Sequence, residues 1–137
     1  MEGEIRVSVE TDADLVIARA EGRAMAQRLG FRRPDPTLIA TAISELARNI
    51  VLYAGRGEIV LQRLDHHARA GVLIIARDDG PGIPETFRLA IHGEPTRGAS
   101  CLGLRGVRRL MDECEIVSAA GRGTTIAVKK WRAEHES

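Results

Sequence analysis

Aromatic residues are nearly missing from this chain, with two Phe, one Tyr and one Trp in 137 residues. Whatever core it builds must therefore be aliphatic. Cysteine is as scarce, at Cys101 and Cys114 alone. Two cysteines behind an acidic start, Met1-Glu2-Gly3-Glu4, with no apolar stretch to act as a signal peptide, predict reduced thiols and a cytoplasmic protein. No run of about 18 apolar residues occurs, which excludes a helical membrane span. Charge of one sign is not in excess either, since 20 Lys and Arg face 19 Asp and Glu. With both signs interspersed and no basic stripe, no nucleic acid and no anionic membrane is expected as partner. The four histidines (His66, His67, His92, His135) lack metal-ligand spacing, which argues against zinc. Internal repeats are absent as well.

What the chain does have is 44% hydrophobic residues, enough for a packed core and too many for disorder. The expectation is one domain spanning 1–137. Ile5 to Val9 alternates like a half-buried strand. Leu15, Ala18, Gly22, Met25, Ala26 and Leu29 recur at helical spacing, with Thr11 or Asp12 as N-cap and Gly30 at the C-cap. A second helix starts near Asp35-Pro36 and stops before Gly55. Glu58–Leu64 and Val72–Arg77 read as strands joined by a polar segment, Asp65–Gly71. Residues 79–100, rich in glycine and proline, read as a long loop. A third helix over Leu102–Glu113 and a hairpin of Glu115–Ala119 with Thr124–Val128 complete the order β-α-α-β-β-loop-α-β-β. Strands and helices do not alternate, so a doubly wound sheet is excluded. The predicted fold class is α+β: a two-layer sandwich, its sheet mixed but mostly antiparallel, with three helices on one face.

Four stretches carry chemistry. Glu45 and Asn49 lie four apart on the second helix, so a carboxylate and a carboxamide share a face. Oxygen ligands of this kind suit Mg²⁺, and the carboxylate also suits a base acting on a hydroxyl. Asp78-Asp79-Gly80-Pro81-Gly82-Ile83 ends an apolar strand. It reads either as a plain turn or as a carboxylate that accepts from an amino group beside glycines that let a ligand approach. Gly98 to Gly106 leads into a helix, where backbone amides and Arg97 and Arg105 could meet phosphate. Gly121-Arg122-Gly123-Thr124 alone is a hairpin turn.

Taken together and in this order, these stretches resemble the N, G1, G2 and G3 boxes of the GHKL (Bergerat) ATP-binding superfamily. Thr41–Ile50 with Tyr53-Ala54-Gly55, Asp78–Pro84, Gly106–Glu113 and Gly123–Trp131 resemble the RsbT family of serine/threonine protein kinases in particular. The likeness runs from about Ile5 to Arg132. It implies ATP and Mg²⁺ as cofactors, Glu45 as catalytic base (touching the metal through water) and Asn49 as Mg²⁺ ligand. It further implies Asp78 at the adenine amino group, with Gly80, Gly82 and Ile83 around it and Thr124 at the adenine end. A lid over about 84–102 would bring Gly98, Leu102, Gly103, Leu104 and Arg105 to the nucleotide. The implied partners are STAS-domain proteins of a stressosome-like assembly, which the kinase phosphorylates, and a PP2C-type phosphatase, which it activates on release. An RsbW-type anti-sigma factor kinase and a nucleotide-gated partner-switching module with little kinase activity are the alternatives. One departure stands out. The family's Gly-x-Gly-Leu-Gly-Leu box is Ala99-Ser100-Cys101-Leu102-Gly103-Leu104 here, which predicts a looser hold on ATP.

Overall fold

The computed structural model describes residues 4–80, 106–118 and 123–133. Strand β1 (Glu4–Val9) buries Val7 and Val9 and exposes Arg6 and Ser8, the alternation of a strand with one wet face. Helix α1 (Asp12–Arg28) comes directly after it and is started by a capping box. Thr11 Oγ1 accepts from the Asp14 amide at 3.3 Å, and Asp14 Oδ2 accepts from the Glu10 and Thr11 amides at 2.9 and 3.2 Å. Those amides, Glu10's first, hold the Asp14 carboxyl below the usual carboxylate range. Leu15, Ala18, Gly22, Met25 and Ala26 form its buried stripe, and Gly30 ends it with φ 89°. Gly22 lets the next helix come close, because a Cβ there would overlap Ile43 Cδ1.

Helix α2 (Asp35–Asn49) carries Pro36 in its first turn and buries Ile39, Ala42, Ile43, Leu46 and Ala47. It does not stop cleanly. Ile50–Ala54 continue as one π-helical turn, closed by Gly55, whose amide bonds Ile50 O at 2.9 Å. Strands β2 (Gly57–His66) and β3 (Arg69–Asp78) are longer than expected, and only His67-Ala68 remain between them. The segment read as polar loop is therefore mostly ladder, with Leu64 opposite Gly71 and Asp65 opposite Ala70. The hairpin extends past the core there, so Asp65, His66, His67 and Ala68 are all exposed and polar residues occupy both strand faces. Residues 106–110 are helical (α3), and β4 (Glu113–Ser118) and β5 (Thr124–Trp131) close the sheet. Glu113, expected in the helix, starts β4 instead, opposite Lys129.

The sheet order is β1-β2-β3-β5-β4, and every pairing among the described strands is antiparallel. The expected parallel component is thus not seen among them. The three helices lie on one face: Leu15, Ile43, Leu46, Val107 and Met111 meet Val9, Ile59, Leu61, Ile74, Ile126 and Val128 in one core cluster. Its side chains are aliphatic apart from Phe31, as the lack of aromatics requires. Among the described residues no helix is long and apolar enough to cross a membrane.

Candidate nucleotide-binding site

Glu45 and Asn49 occupy the last turns of α2, one turn apart. Ser44 beside them is buried and spends its hydroxyl on Ala40 O at 3.0 Å. Glu45 is met by Arg48, whose Nη1 donates to its Oε1 at 2.7 Å. Asn49 differs, since its Nδ2 is buried and has no partner among the described residues. A buried polar atom left without a hydrogen bond is costly, and native structures keep few of them. Its place at the end of α2 is where the sequence puts a ligand-binding carboxamide.

Asp78 ends β3 on the sheet face that the helices cover, between Gly57 of β2 and Thr124 of β5. Its Oδ1 accepts from the Gly80 amide at 2.9 Å, and Thr124 is buried. Three glycines pack around Asp78, only Gly80 of them against its carboxylate. A Cβ on Gly57 would overlap the Arg77 carbonyl and lie 3.0 Å from Asp78 Cβ. A Cβ on Gly80 would lie 2.7 Å from Ala54 Cβ and 3.2 Å from Asp78 Oδ1. Gly123, with φ 84°, would overlap the Asp78 carbonyl and reach 2.8 Å from Asp79 Cα. Positive φ and crowded backbone together leave room for glycine only.

The π turn joins the two halves of this site. It carries Ala54 against Gly80 and brings Ile50 Cγ2 within 2.9 Å of the Gly57 Cβ position, so the end of α2 is seated on the ends of β2 and β3. A π turn inserts one residue into a helix and re-aims the chain beyond it, and such turns recur at functional sites. The sequence pattern ends the helix before Gly55 and discloses neither the turn nor the parts played by Gly57, Ala54 and the Arg48 ion pair. The close spacing of Gly55 and Gly57 is the one signal it offers. A cleft of about 500 Å³ at this end of the sheet is lined by Ala54, Arg56, Gly57, Asp78 and Asp79 and, on the face away from the helices, by Ser8, Glu10, Glu58 and Arg77.

Asp78, Gly80 and Thr124 thus lie together at the ends of β3 and β5, with the π turn that directly follows Glu45 and Asn49 seated against Gly57 and Gly80. Gly82, Ile83, Gly98, Leu102, Gly103, Leu104 and Arg105 lie outside the described residues, as do the expected lid and the altered positions Ala99 and Cys101. The described part fits a nucleotide: the orphaned Asn49 Nδ2 is a donor suited to a phosphate oxygen, and a divalent cation would take the Asn49 side-chain oxygen. One carboxylate is fixed by the Gly80 amide on a backbone hemmed in by glycines, and one buried amide nitrogen stands without a partner among the described residues.

Comparison with known proteins gives the family. Residues 34–134 match the model of the histidine kinase-, DNA gyrase B- and HSP90-like ATPase family. The chain belongs to that family, and ATP is its nucleotide. It is also 48% identical, over 125 residues, to the serine/threonine-protein kinase RsbT of Bacillus subtilis (strain 168), covering 91% of this chain and 94% of the relative. Within the ATPase family it is accordingly a serine/threonine protein kinase of the RsbT family. A solved structure of the mycobacterial sensor histidine kinase MprB superposes with a TM-score of 0.53 at 16% identity, covering 94% of this chain and 98% of that one. That likeness is one of fold.

Proposed function

We propose that this kinase phosphorylates a serine or threonine of a STAS-domain protein in a stressosome-like complex in the cytoplasm. Once released, it binds and activates a PP2C-type phosphatase. The single observation that carries the catalytic half is the seating of the Glu45–Asn49 turn, through Ala54, on the Asp78–Gly80 loop. The partner classes rest on membership of the RsbT family.

When bound, ATP with Mg²⁺ supplies an activated phosphoryl group and the counter-charge for its oxygens. The chain's own residues do the rest. Asp78 accepts from the adenine amino group, and the Gly80 amide on its Oδ1 keeps the carboxylate aimed. Asn49 offers its side-chain amide to the phosphate end and the cation. Glu45 takes the proton of the attacking hydroxyl, and the Arg48 guanidinium holds its carboxylate in one orientation until then. General base catalysis contributes about 10²–10⁴ in rate. Radiolabel transfer from ATP to a STAS-domain protein should therefore fall by about that factor in Glu45→Ala. ATP affinity in the same variant should stay unchanged. Transfer at the wild-type rate would remove Glu45 from the role.

A further inference from the structure

We propose that the end of the sheet opposite the nucleotide site holds a docking pocket for an acidic segment of a partner protein. This pocket stands apart from the kinase mechanism. A cavity of about 390 Å³ opens at the tip of the β2–β3 hairpin, lined by His66, His67, Ala68, Arg69, Arg132 and Ala133. Among these described residues none is acidic; Arg132 is held by the Leu29 carbonyl at 3.2 Å, and the other cation-forming side chains are Arg69 and the two imidazoles.

Arg69 is the centre of the case. Its guanidinium lies 5.5 Å over the Trp131 ring, and its Nε is shielded from solvent with no hydrogen-bond partner among the described residues. The acids nearby are engaged elsewhere. Asp65 pairs with Arg63 at 3.1 Å, Asp112 accepts from the Trp131 amide at 2.8 Å, and Glu113 accepts from Trp131 Nε1 at 2.9 Å. Trp131 is thereby pinned at both its amide and its indole, and its ring rests on Gly71, where a Cβ would lie 2.6 Å from Cε3. A guanidinium stacked on a fixed indole is a fork set in advance for a carboxylate.

The turn gives a second, independent observation. His67 and Ala68 both have positive φ, at 49° and 66°. Asn-Gly is the pair that suits such a turn. Holding His67 there instead keeps its ring edge-on to His66, with centroids 4.1 Å apart, at the mouth of the cavity. Neither ring makes a hydrogen bond among the described residues, so both are available to an anion.

The features favour an acidic peptide over other anions. A nucleic acid would ask for a basic stripe, and the chain is close to neutral at net +1. A membrane surface would ask for exposed apolar groups, and the large exposed apolar side chains (Val16, Ile17, Leu52, Tyr53, Val117) all lie off the hairpin tip. The separation has a consequence. The ten-residue strands β2 and β3 set the pocket roughly 30 Å from Asp78, so occupancy leaves the nucleotide end free.

Trp131, the one tryptophan in the chain, reports on the pocket directly. The full chain is titrated with an end-capped peptide of consecutive glutamates, following Trp131 fluorescence and calorimetric heat, with a glutamine peptide as control. The expected result is saturable binding of the glutamate peptide alone, weakened by added salt. Arg69→Gln and His67→Gln should each lower affinity about tenfold or more, the worth of one charge-assisted hydrogen bond, with ATP affinity unchanged. Arg69→Lys should recover only part of the loss, since it keeps charge without the fork. If Arg69→Gln disturbs the hairpin, His67→Gln carries the test, because its ring holds no structural hydrogen bond. Absence of saturable binding, or affinity indifferent to both substitutions, overturns the proposal. So does binding of phosphatidylserine vesicles through these residues when the peptide does not bind.

Discussion

Strands β2, β3 and β5 have two ends built on opposite terms. At one end lie Gly57, Asp78, Gly80, Gly123 and Thr124, where side chains are withheld so that backbone can close around Asp78. At the other lie His66, His67, Arg69 and Trp131, where large cationic and aromatic side chains crowd a two-residue turn. The same ladder runs between them unbroken, from the Gly57–Asp78 pair to the His66–Arg69 pair. Small residues at the first end make room for a ligand against main chain. Large ones at the second present a surface to something outside.

Apart from the loss expected for the proposed base Glu45, the largest effect should come from Gly123→Ala. The new Cβ meets the Asp78 carbonyl on a backbone with φ 84°. Strain of about 1–3 kcal/mol and overpacking of similar size should add, so thermal unfolding and ATP binding should both fail together. A variant that melts normally and binds ATP normally would break the contrast. Asp78→Asn should come next. On the proposed role of Asp78 it removes a charge-assisted hydrogen bond worth about 1.5–3 kcal/mol and would set an amide against the adenine amino group. Calorimetric titration with ATP should show the loss, while the melting temperature moves little.

The matching change at the far end is Gly71→Ala. Its Cβ meets Trp131 Cε3 at 2.6 Å, a side chain that can shift, and Lys130 O at 3.0 Å. About 1 kcal/mol of stability should be lost, the low end of overpacking. Trp131 fluorescence should change and ATP affinity should not, and a coupled loss of ATP binding would show that the two ends are not separate. Smallest of all is Asp14→Asn, at the start of α1 beside the nucleotide end of β1. The folded carboxyl lies below its unfolded value, chiefly through the Glu10 amide and then Thr11. Its stabilising effect is therefore present above the unfolded pKa and disappears as pH falls through the folded one. Acid unfolding curves should show a flatter limb for the variant, with the two proteins converging at low pH. Parallel limbs would discount the cap.

Much of this was legible in the linear pattern. The stripe of Leu15, Ala18, Gly22, Met25 and Ala26 is the buried face of α1, and Gly30 is its cap, because helical period and positive φ are local properties. Glu45 and Asn49 share a helix turn for the same reason. The segment Asp65–Gly71 differs from its pattern, since the hairpin tip runs past the core and is exposed on both faces, and a strand wet on both faces has the same composition as a loop until its pairing is known. Glu113 was drawn into the helix because nothing local distinguishes its last turn from the first residue of an edge strand.

By itself, then, the sequence determined the α+β layering, the aliphatic core and the kinase family, since each rests on period, composition or motif. Only the tertiary structure decided that α2 ends in a π turn, that Ala54 lies on Gly80, and that Gly57 and Gly123 hem in Asp78. It alone brought Arg69 of β3 onto Trp131 at the end of β5. Those are contacts between backbones and rings far apart in the chain, and they are set by which strands pair and in what register, which no short stretch of residues encodes.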